Sequence, residues 1–85
     1  MSKEVIVILK LLSGEELIAK RNGDTYSTIR SFTFDKSGNA GLVPFFITMP
    51  DVSLPLNQGL ILAEHPAPAE VEKSYRAAVS GIQLV

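Results

Sequence analysis

The stretch Val5-Ile6-Val7-Ile8-Leu9-Lys10-Leu11-Leu12-Ser13-Gly14-Glu15-Glu16-Leu17-Ile18-Ala19 decides the fold. Val5, Val7, Leu9 and Leu11 alternate with Ile6, Ile8, Lys10 and Leu12, so both faces of this β-branched segment are apolar for most of its length. That pattern predicts a central strand covered on both sides. Ser13-Gly14 supplies a turn, and residues 15–21 resume as a second strand with polar ends. Asn22-Gly23-Asp24 is a hairpin signal, because Asn and Gly accept the positive φ of a tight connection. Residues 25–34, rich in Thr, Tyr, Ile and Phe, return as the third strand.

Beyond this hairpin, residues 35–41 form a polar loop with two glycines. Residues 42–49 predict a fourth strand interrupted at Pro44, which cannot donate a ladder hydrogen bond and so implies an edge or a bulge. Residues 52–56 and 60–64 predict short strands around a tight turn at Asn57-Gln58-Gly59. After Pro66 the period changes. Val71, Tyr75, Ala78 and Val79 share one helical face, with Pro68 in the first turn and Gly81 as the stop, so a helix is expected over about 68–80. Glu70 and Glu72 suit the positive end of its dipole, and Glu72 can pair with Arg76 one turn later. Ile82-Gln83-Leu84-Val85 is an apolar tail expected to add to a sheet edge in the same or a neighbouring subunit. The chain reads as one mainly β domain over 1–85, a small bent-sheet barrel at about 4–64 with one C-terminal helix.

With 85 residues, 46% of them hydrophobic, the chain can build one domain, but a domain this small buries a modest fraction of its surface. Cysteine is absent, so disulfides and thiolate metal sites contribute nothing, and homo-oligomerisation is the expected source of further stability. The net charge of −1 argues against a generally basic nucleic-acid coat. The cations are unevenly placed, however. Lys3, Lys10, Lys20, Arg21, Arg30 and Lys36 fall in the first 36 residues and none falls in 37–72, so an anionic partner would meet the N-terminal half. The apolar run at residues 5–9 is too short for a signal or membrane span, which leaves a soluble, cytoplasmic protein as the expectation.

The succession from Val7 through Ser13-Gly14 to Ala19 resembles the opening of the Sm-like family, most of all its short phage-type members. A second partial match is Leu54-Pro55-Leu56-Asn57-Gln58-Gly59-Leu60-Ile61-Leu62, where the family has an apolar strand, Arg-Gly-Asn and a final strand. Asn57 fits; Pro55 and Leu56 stand in place of Arg-Gly. The resemblance implies a strongly bent five-stranded barrel that pairs its fourth strand with the fifth of the next subunit to form a ring. It also implies single-stranded RNA or DNA as ligand, bound with low sequence specificity in nucleic-acid processing, in the host cytoplasm if the chain is phage-encoded.

The candidate nucleic-acid-binding residues are Lys20, Arg21 and Arg30 for phosphate, Asn22, Asp24 and Tyr26 around the hairpin, and Asn57 in the later motif. Tyr26 is the aromatic expected to stack, being next to the turn, whereas the phenylalanines are expected in the core. Each candidate also has a purely structural reading as a turn, a solvated strand end or a core side chain. His65 is the only histidine and has no clustered partners in sequence for a metal or acid-base role. No phosphate loop, Ser-His-Asp set or carboxylate pair can be assembled, so no enzyme, metal or cofactor is expected. The alternative to nucleic-acid binding is a protein-interaction or structural ring.

Overall fold

The computed structural model describes residues 4–34, 36–38 and 40–79. Strands β1 (Glu4–Leu11), β2 (Glu16–Asn22) and β3 (Thr25–Phe34) form an antiparallel meander with β2 in the middle, and β1 is an interior strand of the whole sheet, paired on both sides as its two-sided apolar pattern predicts. Strand β4 (Ala40–Pro44) and the two-residue β5 (Ser53–Leu54) both pair with β3. A 3-10 turn at Gln58–Leu60 leads into β6 (Ile61–Pro66), which returns to pair with β1. The order is β4-β3-β2-β1-β6, and helix α1 (Ala69–Val79) follows.

Two apolar clusters explain the double coverage of β1. Val7, Leu9, Leu17, Ala19, Tyr26 and Ile29 form one, packed against Leu11, Phe45, Phe46, Leu54, Leu56 and Ile61. Ile6, Ile18 and Tyr75 form the other, on the face that α1 covers with Val71 and Val79. The first cluster gathers side chains from β1, β2, β3, β5 and β6. In a flat sheet β3 and β6, three strand spacings apart, would lie about 14 Å from each other. Yet the Tyr26 hydroxyl on β3 reaches Glu64 on β6 at 2.7 Å, so the sheet curls tightly around this core.

The curl differs from the five-stranded barrel expected above. The sheet has six strands and remains open, with β4 and β6 as its ends. The expected strand at 42–49 begins at Ala40 and stops at Pro44, and the one at 52–56 shrinks to Ser53–Leu54. The cause lies in β3. Ile18 faces Arg30 and Lys20 faces Ser27, so β3 carries one extra residue in a bulge opposite Ala19. Within that bulge Thr28 has φ of 51°, a left-handed conformation unusual for a β-branched residue. A strand pairing along the outer side of β3 must break where β3 bends, and Pro44 has no N–H with which to continue.

Smaller differences follow from local chemistry. Asn57 accepts a hydrogen bond from Gly59 N at 2.9 Å and so caps a 3-10 turn in place of the expected tight hairpin. The last strand runs to Pro66, two residues past the expected barrel boundary. The hairpin after β2 uses positive φ at Gly23 alone, while Asn22 stays in the strand. Pro68 lies just before the helix, its carbonyl accepting from Glu72 N at 2.9 Å. On the helix Val71, Tyr75 and Val79 pack inward as expected, whereas Ala78 is exposed. Glu72 and Arg76 pair at 2.9 Å. Gly81 and the apolar tail at 82–85 lie outside the described residues. No helix among the described residues is long and apolar enough to cross a membrane.

Candidate functional site

Lys20 and Arg21 are neighbours in β2, so their side chains leave on opposite faces of the sheet. Lys20 sits between Ile6 and Ser27 on the helix-covered side, while Arg21 sits between Val5 and Tyr26 on the side of the curled core. The pair therefore does not form one phosphate clamp. This register also corrects the expectation for Tyr26. As the partner of Arg21 it points with Leu17 and Ala19 into the core, has no exposed surface, and offers no free ring for a base.

Around Tyr26 the chain builds a polar cluster at one end of the curled sheet. The Tyr26 hydroxyl donates to Glu64 Oε1 at 2.7 Å, and the Gln58 amide donates to that hydroxyl at 3.4 Å. The Arg21 guanidinium makes an ion pair with Glu64 Oε2, donates to the Gly23 carbonyl at 3.0 Å, and stands 5.5 Å above the Tyr26 ring. The hydrogen bond to Glu64, followed by its charge, holds the Arg21 pKa above its ordinary value. Burial, followed by the bond to Glu64, pushes the Tyr26 phenol up as well. Both groups keep their protons at neutral pH. The cluster ties β2 and β3 to β6, a link the backbone ladder does not make, and borders an open pocket of about 300 Å³ lined by Val5, Val7, Arg21, Gly23, Glu64 and Pro66.

The remaining candidates lie apart from one another. Asn22 and Asp24 flank the hairpin with exposed side chains, and the Asn22 carbonyl accepts from Thr25 Oγ1 at 3.0 Å. Asn57 is used as a cap. Arg30 is largely covered and bonded to Pro50 and Asp51, so it is not presented to a phosphate. All three arginines are ion-paired: Arg21 with Glu64, Arg30 with Asp51, and Arg76 with Glu72 and Glu4. A phosphate approaching any of them meets a neutralised pair in place of a free cation. Among the described residues no group of three acidic or histidine side chains could hold a metal ion, and the exposed His65 places Nδ1 2.7 Å from the Pro66 carbonyl.

Sequence reasoning missed Glu64, the centre of the cluster, although a lone acid after the apolar run Leu60-Ile61-Leu62-Ala63 was a signal that it needed a partner. It also missed Phe34, which is the exposed aromatic in place of Tyr26. Compared with protein-family models, curated proteins and solved structures, the chain matches none.

Proposed function

We propose that the chain is a subunit of an Sm-like homo-oligomeric ring that binds single-stranded nucleic acid with low sequence specificity. The observation that carries this reading is a pair of sheet edges that no strand among the described residues covers. Strand β4 ends the sheet on one side, near exposed Phe34, Val43, Ile47 and Met49. Strand β6 ends it on the other, near exposed Leu60, Leu62 and Leu12, the last joined to Leu60 by a backbone hydrogen bond of 2.9 Å. Unpaired edges with apolar side chains are a hazard for a monomer. Pairing β4 of one copy with β6 of the next satisfies both edges, and repeating that contact with a closing rotation makes a ring.

Assembly is also what the nucleic-acid reading requires. One subunit has no stacking platform at Tyr26 and no unpaired arginine, so the binding surface has to be built by bringing the hairpins with Lys20, Asn22 and Asp24 together around the ring. Such a surface contacts backbone more than base, which fits low specificity. The neutralised arginines and the buried Tyr26 favour a second reading, a ring that holds a protein partner.

Light scattering on the eluting protein, followed by fluorescence anisotropy with single-stranded RNA and DNA at low and moderate salt, separates these readings. An oligomer with salt-sensitive binding is the expected result. An oligomer without binding at low salt moves the function to protein partners, and a monomer at all concentrations overturns the ring.

A further inference from the structure

Strands β4 and β5 are two pieces of one edge. Arg30 faces Pro44 and Ser27 faces Ser53, both antiparallel. Between these pairs β3 uses two residues, Thr28 and Ile29, while its partner uses eight, residues 45–52, so six residues are looped out of the ladder (8 − 2 = 6). We propose that this excursion is an assembly surface for a second copy of the chain and that Arg30 is the positioning residue that holds it in shape; the proposal rests on the ring reading above.

Arg30 fastens the excursion from beneath. Its Nη1 donates to the Pro50 carbonyl at 2.8 Å and to the Ile29 carbonyl at 3.3 Å, and its Nη2 meets Asp51 Oδ1 at 3.1 Å. The Arg30 side chain is only 13% exposed, against 72% for Asp51, so the guanidinium serves as a covered clasp and the carboxylate as its outer cap. The ends are held too. Phe45 N donates to the Ile29 carbonyl at 3.0 Å, and Val52 N to the Met49 carbonyl at 3.1 Å. Phe45 and Phe46 meet edge to face, with ring centroids 5.2 Å apart, and pack onto the core.

With its backbone held, the excursion turns Ile47 and Met49 outward, 86% and 51% exposed. Residues 37–50 contain no charged side chain, and the first acid, Asp51, is taken up by Arg30. An edge meant to stay free normally carries charge to repel other strands; this one carries only the Asp51 carboxylate, which is paired with Arg30. The occupant that fits is another copy of this chain, because the apolar group at Leu12, Leu60 and Leu62 lies by the opposite end of the sheet, where a head-to-tail contact places it. Fixing the excursion before contact lowers the ordering cost of association.

The test uses the full chain as wild type, Arg30→Met, Arg30→Lys and Asp51→Asn, with light scattering over a concentration series and hydrogen exchange read over residues 45–52. Arg30→Met is expected to raise the half-assembly concentration at least tenfold and to speed exchange at Val52. Arg30→Lys restores much of the assembly, since an ammonium group can still donate to the Pro50 carbonyl, a rescue that a role in bulk packing alone would not give. Asp51→Asn, on the exposed side of the clasp, gives a smaller shift in the same direction and keeps the test open if Arg30→Met fails to fold. Equal half-assembly concentrations in wild type and Asp51→Asn, with Arg30→Met unchanged or unfolded, overturn the clasp and leave the ring standing. A wild type that is monomeric throughout overturns the ring and the clasp with it.

Discussion

Leu9 in β1 and Leu62 in β6 are the same residue type on paired strands, yet Leu9 has no exposed surface and Leu62 keeps 65% of its own. The difference divides the molecule into a buried centre and an exposed apolar rim. At the centre, β1 and β2 have partners on both sides and apolar cover on both faces. At the rim, β4 and β6 have no second neighbouring strand among the described residues, and aliphatic side chains around them are exposed. The centre supplies the fold, and the rim is the part on which the proposed assembly depends.

The largest test of this division sets those two leucines against each other. Leu9→Ala removes a fully buried side chain between Leu17 and the strand β6, and should cost about 2–5 kcal/mol of stability in urea unfolding. Leu62→Ala should stay within about 0.5 kcal/mol in the monomer, as exposed substitutions usually do, while weakening assembly. Similar unfolding costs for the two variants would break the division between centre and rim.

A second test concerns how the helix is joined to the centre. The buried Tyr75 hydroxyl donates to the Thr28 carbonyl at 2.6 Å, fastening α1 to the bulge in β3. Tyr75→Phe removes that hydrogen bond, which should cost about 0.5–1.5 kcal/mol. Burial raises the Tyr75 pKa far above its ordinary value of 10.0, so the folded state favours the protonated phenol. This contribution is fully present below about pH 10 and is lost as the pH rises through the range between the unfolded and folded values. Wild type should therefore lose stability in alkali. Tyr75→Phe should show a shallower loss, with the remainder due in part to Tyr26, whose pKa is shifted in the same direction. An unchanged alkaline slope in Tyr75→Phe would remove the phenol as its source.

The same division governs what could be read from the residues alone. Strands β1, β2 and β3 fall within one residue of their expected limits, because alternation, Ser13-Gly14 and Gly23 are local signals that the tertiary structure reinforces. Helix α1 likewise follows its apolar spacing. The break between β4 and β5 was half legible. Pro44 announced an interruption, but its length depends on the bulge at Thr28, and nothing near Thr28 in the sequence calls for positive φ. The candidate site was less legible still. Tyr26 looked exposed because it follows a turn, whereas strand parity from the hairpin pairs it with Arg21 on the core side. Pairing of arginines with Glu64 and Asp51 spans 43 and 21 residues, contacts that no local pattern carries.

The smallest expected effect probes the bulge itself. Thr28 is the one non-glycine among the described residues with positive φ, and it is buried. A side chain with a Cβ is disfavoured in that conformation by about 1–2 kcal/mol, and glycine removes this cost while adding about 0.5–1 kcal/mol of unfolded-state entropy to be overcome. Thr28→Gly should therefore raise stability by about 0.5–1 kcal/mol, seen as a higher urea midpoint with an unchanged slope. Its carbonyl remains in place for Tyr75, so the gain should persist only while that hydrogen bond persists. In the double variant with Tyr75→Phe the freed glycine has no anchor from the helix, the bulge can relax, and the two effects should fail to add. Additive effects would mean that Thr28 holds its conformation without the helix, and that the break in the β4–β5 edge belongs to the sheet alone.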